Sequence, residues 1–248
     1  MTLQAFFEEN PSVAIAFSGG VDSAYLLYAA KRYARQVKAY YVQTAFQPQF
    51  EREDARRMAA QLDVPLQILP VEILSVDTVA ENPADRCYHC KKALFYKIMA
   101  AAKADGFSVL LDGTNASDEA SDRPGMRALA ELSVRSPLRE CGLTKDQIRR
   151  LSKEAGLFTH EKPAYACLAT RIPTGERIAP EKLFLTEAAE TYLHGLGFRD
   201  FRVRSQGDIA KIQLRADDLP LLFANRAAIV SELNKYYSGV LLDLEVRT

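Results

Sequence analysis

The stretch Phe17-Ser18-Gly19-Gly20-Val21-Asp22-Ser23 decides how the rest of the chain is read. Before it, Val13-Ala14-Ile15-Ala16-Phe17 is short, apolar and rich enough in strand formers to be a buried strand. After it, Ala24 to Arg35 is rich in Ala and Leu and predicts a helix. Strand, glycine turn and helix in that order bring Gly19 and Gly20 to where main-chain N–H groups approach an anion without intervening side chains. Ser23 falls in the first turn of the helix, where unbonded N–H groups and the helix dipole favour negative charge. The direct physical reading is a phosphate cradle. The plain alternative is a turn that only joins strand to helix.

Working outward, the pattern repeats. Val37 to Val42 predicts a second strand, ending at Gln43-Thr44-Ala45, and Phe50 to Leu62 has helical spacing with Ala55, Met58, Ala59 and Leu62 on one side. Pro65 to Leu69 predicts a third strand and Ser108 to Leu111 a fourth, with a helix from Arg86 to Asp105 between them and Gly106 as its stop. This alternation predicts an α/β fold with a doubly wound parallel sheet. Ligands in such sheets bind beyond the carboxyl ends of the strands. The Ser18–Ser23 loop, Thr44 and the loop Asp112-Gly113-Thr114-Asn115 would all lie there, although Gly and Asn are also ordinary turn residues. Arg123-Pro124-Gly125 precedes a short helix, Met126 to Leu132, and Val134 to Leu138 is read as the last strand of the sheet. Thr144 and Gln147 form a capping box for a helix closed by Gly156.

Composition shifts over Lys162 to Gly175, which has prolines near both ends and no helical period. The expected boundary is near Gly175, giving a sheet domain over 1–175 and a small α+β domain over 176–248. The latter reads as helix (Pro180 to His194), strands (Phe198 to Arg204 and Asp208 to Leu214), helix (Asp217 to Tyr236) and strand (Val240 to Val246).

The 248 residues suit one large domain or a medium domain with an appendage, and 48% of them are apolar, enough for a sizeable core. Thirty-two basic and 32 acidic residues balance, which argues against a broad nucleic-acid surface. No apolar run is long enough to cross a bilayer, and the N-terminus lacks a secretory pattern, so the expectation is a cytoplasmic protein with no membrane association.

Four cysteines in such a chain point to metal ligands, reactive groups or core residues before disulfides. Cys87-Tyr88-His89-Cys90 spaces two thiolates to grip one metal ion or two corners of a cluster; zinc, iron–sulfur and redox dithiol readings all use that spacing. Cys167 offers a third thiolate, and Cys141 reads as a small buried hydrophobe. On the strand after Phe198, Arg202 and Arg204 alternate with Phe201 and Val203 and so project from one face, as a solvated strand face or as a phosphate fork.

Neither a Walker A loop nor a Rossmann turn occurs. Ser-Gly-Gly-x-Asp-Ser instead resembles the PP-loop of the ATP pyrophosphatases. That resemblance implies that Ser18, Gly19, Gly20, Val21, Asp22 and Ser23, with Thr44, Gly113 and Thr114, bind ATP. AMP is then transferred and pyrophosphate leaves. Together with Arg86-Cys87-Tyr88-His89-Cys90-Lys91, Asp112-Gly113-Thr114-Asn115 and Cys167-Leu168-Ala169-Thr170-Arg171, the loop resembles the LarE family of sulfur transferases over essentially the whole chain. The resemblance implies adenylylation of a small mononucleotide's carboxylates and displacement of AMP by sulfur, with Asp22 and Ser23 assisting, Mg²⁺ on the phosphates and a sulfide donor as partner. Asp22 would help hold Mg²⁺ or cap its helix. It further implies a 4Fe-4S cluster on Cys87, Cys90 and Cys167, or single-use donation of the Cys167 sulfur. Arg202 and Arg204 would take the substrate phosphate, and the protein would be a homo-oligomer. Two rivals are a tRNA-thiolating enzyme of the same superfamily, disfavoured by zero net charge, and a nucleotide-binding module without chemistry, which leaves the cysteines unexplained.

Overall fold

A computed structural model describes residues 1–118 and 124–247; Arg123 lies outside them. The chain forms two compact units, one of Met1–Ile73 with Asp85–Lys162, the other of Leu74–Ala84 with residues 163–247.

In the first unit, the elements in chain order are α1 (Leu3–Glu9), β1 (Ser12–Ala16), α2 (Val21–Tyr33), β2 (Gln36–Gln43), α3 (Gln49–Gln61) and β3 (Leu66–Pro70). The second unit then takes a short helix, α4 (Asp77–Ala80), before the first resumes with α5 (Arg86–Ala104), β4 (Leu110–Leu111), α6 (Pro124–Glu131), α7 (Pro137–Glu140) and α8 (Lys145–Glu154). The sheet order is β3-β2-β1-β4, all parallel, with Ser12 opposite Gln36 and Ala39 opposite Leu66. Val13, Ala14 and Ile15 are all fully buried, as expected of a parallel strand covered on both faces. Val13, Ile15, Ala39 and Tyr41 pack with α1, α2, α3 and α8, while Ala14, Tyr40 and Val42 pack with α5 and α6. The expected doubly wound parallel sheet is present, and the Thr144–Gln147 capping box closes both of its hydrogen bonds.

The expected strand over Val134 to Leu138 is reduced to a single parallel bridge between Leu111 and Arg135. Pro137 has no N–H for a ladder and instead opens the turn of α7, where its fixed φ suits the first helical position.

In the second unit, α9 (Pro180–Gly195), β5 (Phe201–Gln206), β6 (Ile209–Leu214), α10 (Leu219–Ala224), α11 (Arg226–Leu233) and β7 (Gly239–Leu242) follow α4. β5 and β6 are antiparallel and β7 runs parallel to β6, with one sheet face buried on the helices. The single helix expected over Asp217 to Tyr236 is two, interrupted at Asn225, whose amide side chain donates to Leu221 O at 2.9 Å and helps end α10. The units part at Lys162–Pro163, ahead of the Gly175 expected from sequence. Leu74–Ala84 is held in the second unit by Asn82, whose side chain donates to Pro173 O at 2.7 Å and whose carbonyl accepts from Gly175 N at 2.8 Å.

Candidate active site

The loop after β1 closes on itself. Gly19 has φ +75°, a left-handed conformation that favours glycine, and a Cβ there would stand in tight contact with Glu51 O at 3.3 Å. Ser23 Oγ donates to Gly20 O at 3.1 Å, accepts from Ser18 N at 3.3 Å and lies 3.0 Å from Ser18 Oγ. α2 starts at Val21 with no side-chain cap, and its first intrahelical bond runs from Ala24 N to Gly20 O. The N–H groups of Val21, Asp22 and Ser23 precede that bond and are the ones a helix leaves for an outside acceptor.

Gly113 closes the second side. A Cβ on it would stand 2.9 Å from Ser23 N. Its loop is braced by Asp112, which accepts from Thr114 Oγ1 at 2.5 Å and Ser136 Oγ at 2.6 Å. Thr114 thus has its hydroxyl turned onto Asp112. Thr44 is likewise occupied within its own turn, donating to Gln47 Oε1 at 2.7 Å and accepting from Phe46 N at 3.0 Å. Both threonines are buried and contribute to the shape of the strand ends.

Two lysines that the sequence does not single out flank the loop. Lys145 Nζ pairs with Asp22 Oδ2 at 2.5 Å, while Asp22 Oδ1 is buried without a hydrogen-bond partner. Asp22 therefore does not cap α2. Lys162 Nζ pairs with Asp54 Oδ2 at 2.7 Å and reaches Gly19 O at 3.5 Å. Arg149 fixes that lysine's backbone by donating to His160 O and Lys162 O at 2.6 and 2.9 Å.

Cys87 and Cys90 stand in the first turns of α5, Cys87 exposed and Cys90 half-buried. Arg86 Nη2 lies 3.9 Å from Cys87 Sγ, and His89 turns away to Asp85 at 3.3 Å. Cys141 sits half-buried against the core at the end of α7, and burial raises its thiol pKa. Cys167 belongs to the second unit, where it precedes a 3-10 turn, Leu168–Arg171. Among the described residues, neither unit by itself gathers three His, Cys, Asp or Glu side chains into a metal site.

Also in the second unit, Arg202 and Arg204 alternate on β5. Arg204 Nη1 donates to Thr170 O at 2.9 Å and its Nε to Gln213. Arg202 has no ion pair among the described residues. Burial lowers the pKa of both, and crowding by Arg171 and Arg247 adds to it. A cluster of guanidiniums in this state favours an incoming anion.

Residues 7–165 match the asparagine synthase family. An uncharacterized protein of Synechocystis is 36% identical over 88% of this chain and 81% of its own. The pyridinium-3,5-bisthiocarboxylic acid mononucleotide synthase of Lactiplantibacillus plantarum is 33% identical over 86% of this chain and 78% of its own. A tRNA-specific 2-thiouridylase of Clostridium botulinum is 27% identical over 60% of this chain and 52% of its own. Among the described residues no helix is long and apolar enough to cross a membrane. A PP-loop closed by Gly113, a parallel sheet in the order 3-2-1-4 and likeness across both units converge: the chain belongs to the LarE family of PP-loop proteins.

Proposed function

We propose that this protein adenylylates a carboxylate of pyridinium-3,5-biscarboxylic acid mononucleotide and replaces one carboxyl oxygen with sulfur. Its family is one of ATP-using sulfurtransferases, and a relative named for the bisthiocarboxylic acid product covers most of the chain. The observation that carries the reading is the uncapped start of α2, sealed by Gly113 and flanked by Lys145 and Lys162.

The chemistry follows from leaving groups. A carboxylate resists displacement because oxide leaves poorly, so its oxygen first attacks the α-phosphorus of ATP and pyrophosphate departs. A sulfur nucleophile then adds at the acyl carbon and AMP leaves. The N–H groups of Val21, Asp22 and Ser23, with Ser18, hold the departing diphosphate, and the two lysines offset its charge. Asp22 suits Mg²⁺, since one of its oxygens is buried without a partner and the other is on an exchangeable lysine. Bound there, Mg²⁺ would neutralise phosphate oxygens. Arg202 and Arg204 take the substrate's phosphate. Sulfur comes through Cys167, and a 4Fe-4S cluster would take that thiolate together with those of Cys87 and Cys90, the three protein ligands such a cluster can use. A cluster held this way would supply an iron site open to exogenous sulfide.

Incubation with ATP, Mg²⁺ and the biscarboxylate under anaerobic conditions tests the activity. AMP, pyrophosphate and the mass gain of an oxygen-to-sulfur exchange are expected; no AMP from an intact protein would refute it. Iron and sulfide analysis separates the sulfur sources: about four irons per chain, lost in Cys87→Ala, is expected for the cluster. An iron-free protein whose Cys167 loses its sulfur after one turnover indicates single-use donation. The likeness to 2-thiouridylases favours one second reading, tRNA thiolation. Salt-dependent tRNA binding by the purified protein would support it.

A further inference from the structure

The turn that carries Cys167 hangs on one buried ion pair. Arg171 and Glu190 are 1% and 5% exposed. The guanidinium meets the carboxylate through two bonds, Nε to Oε1 at 2.8 Å and Nη2 to Oε2 at 3.0 Å. Tyr165 Oη and Val203 N complete the carboxylate's partners at 2.6 and 2.9 Å, so Glu190 is satisfied on both oxygens.

The third guanidinium nitrogen reaches the cysteine's neighbours. Arg171 Nη1 donates to Ala166 O and to Thr170 Oγ1, both at 2.8 Å. Thr170 Oγ1 and Thr170 N in turn donate to Cys167 O, both at 2.9 Å. Tyr165 stacks on the same guanidinium, 4.7 Å from ring centre to carbon. One side chain therefore bonds the main chain just before Cys167 directly and the carbonyl of Cys167 through the Thr170 hydroxyl, and α9 and β5 anchor that side chain through Glu190 and Val203. Burial works against the charge of Arg171, but the hydrogen bonds and charge of Glu190 outweigh it and raise its pKa.

Such a pair is a poor device for stability alone, because well-packed apolar residues of similar volume usually serve a fold as well or better. We propose that Arg171 and Glu190 are positioning residues for sulfur transfer: together they fix the direction from which the Cys167 side chain leaves its turn. The proposal rests on the reading that Cys167 delivers sulfur. It does not concern adenylylation, which the first unit's loop performs in that reading. A misplacement of about 1 Å at a reacting group costs roughly 10²-fold in rate.

The test is the double variant Arg171→Met/Glu190→Met, compared with the wild type for unfolding midpoint, pyrophosphate released and thiocarboxylate formed in the same anaerobic reactions. An unchanged or raised midpoint is expected, with pyrophosphate release within about twofold and thiocarboxylate formation reduced by roughly 10²-fold. The ratio of thiocarboxylate to pyrophosphate is the readout that a merely structural role would not move. Arg171→Lys, which keeps the charge but not the fork, provides a milder variant, expected to lower that ratio by about tenfold. Wild-type thiocarboxylate formation in the double variant, or equal loss of both products in a folded Arg171→Lys protein, overturns the proposal. A wild type that releases pyrophosphate but never forms thiocarboxylate overturns the sulfur-transfer reading as well.

Discussion

Gly113 leaves no room for a side chain, because a Cβ there would lie 2.9 Å from Ser23 N and 3.1 Å from Ser23 Cα. The obstacle is space alone, since Gly113 is not in the left-handed region. Gly113→Ala must push the Asp112–Asn115 loop away from the start of α2. We expect a loss of about 1–3 kcal/mol in stability, the usual range for overpacking, and ATP-analogue binding weakened by about tenfold. Thermal unfolding and titration with a non-hydrolysable ATP analogue check both. Unchanged analogue affinity would separate this loop from the nucleotide.

Lys162 is anchored by Asp54 and lies over the ring of Phe50 at 5.4 Å, so its ammonium is held beside the loop before any ligand arrives. Lys162→Gln removes the charge while keeping most of the stem. The expected result is a KM for ATP raised about tenfold, in line with the loss of one charge-assisted contact. Initial-rate measurements of pyrophosphate release provide the check. An unaltered KM would mean that this lysine serves only Asp54.

Cys90 and Cys141 are both half-buried and differ in their surroundings. Cys141 packs partly on the main core and its thiol pKa is raised by burial, which disfavours a thiolate. Cys141→Ala is expected to cost under about 1.5 kcal/mol and to leave iron content and product formation as in the wild type. Cys90→Ala is expected to abolish iron retention with little change in unfolding midpoint. Metal analysis and calorimetry on the two variants side by side decide this.

Asp243 accepts from Lys211 at 2.9 Å and from Gln213 at 2.6 Å, and Lys211 is the main cause holding its carboxyl at about 2, below the ordinary 3.8. A carboxylate with a depressed folded-state pKa stabilises above its unfolded pKa, and that contribution disappears as pH falls through the folded value. The midpoint difference between wild type and Asp243→Asn should therefore be constant above about pH 5 and shrink between about pH 4 and pH 2. Thermal unfolding across that range tests it; a difference that grows on acidification would show the sign to be wrong.

Local chemistry was readable from residues. A glycine pair between a buried strand and an alanine-rich helix defines the loop, and Thr144 with Gln147 names its own cap. The stripe of Ala55, Met58 and Ala59 likewise identified the inner face of α3. Long-range pairings left no such mark. Lys145 meets Asp22 from 123 residues away, and Lys162 meets Gly19 from 143 residues away, with nothing in either lysine's neighbours to announce it. Val134 to Leu138 carries apolar residues enough for a strand, but Pro137 cannot donate to a ladder and starts a helical turn instead. The run from Asp217 to Tyr236 kept a helical period straight across Asn225, so the break showed only in the backbone. The burial of Arg171 and its pairing with Glu190, 19 residues on, likewise belong to the fold and leave no mark in the residues beside either.

Asn82 reaches residues 172 to 175 across ninety or more positions of sequence, and its segment lodges with the second unit although both its flanks serve the first. During synthesis this piece must emerge from the ribosome long before its partners exist, while the sheet around it can already close. The second unit is thus the later of the two to mature. Swapping it for a relative's counterpart means exchanging two segments at three junctions, since no single cut yields a transplantable cassette.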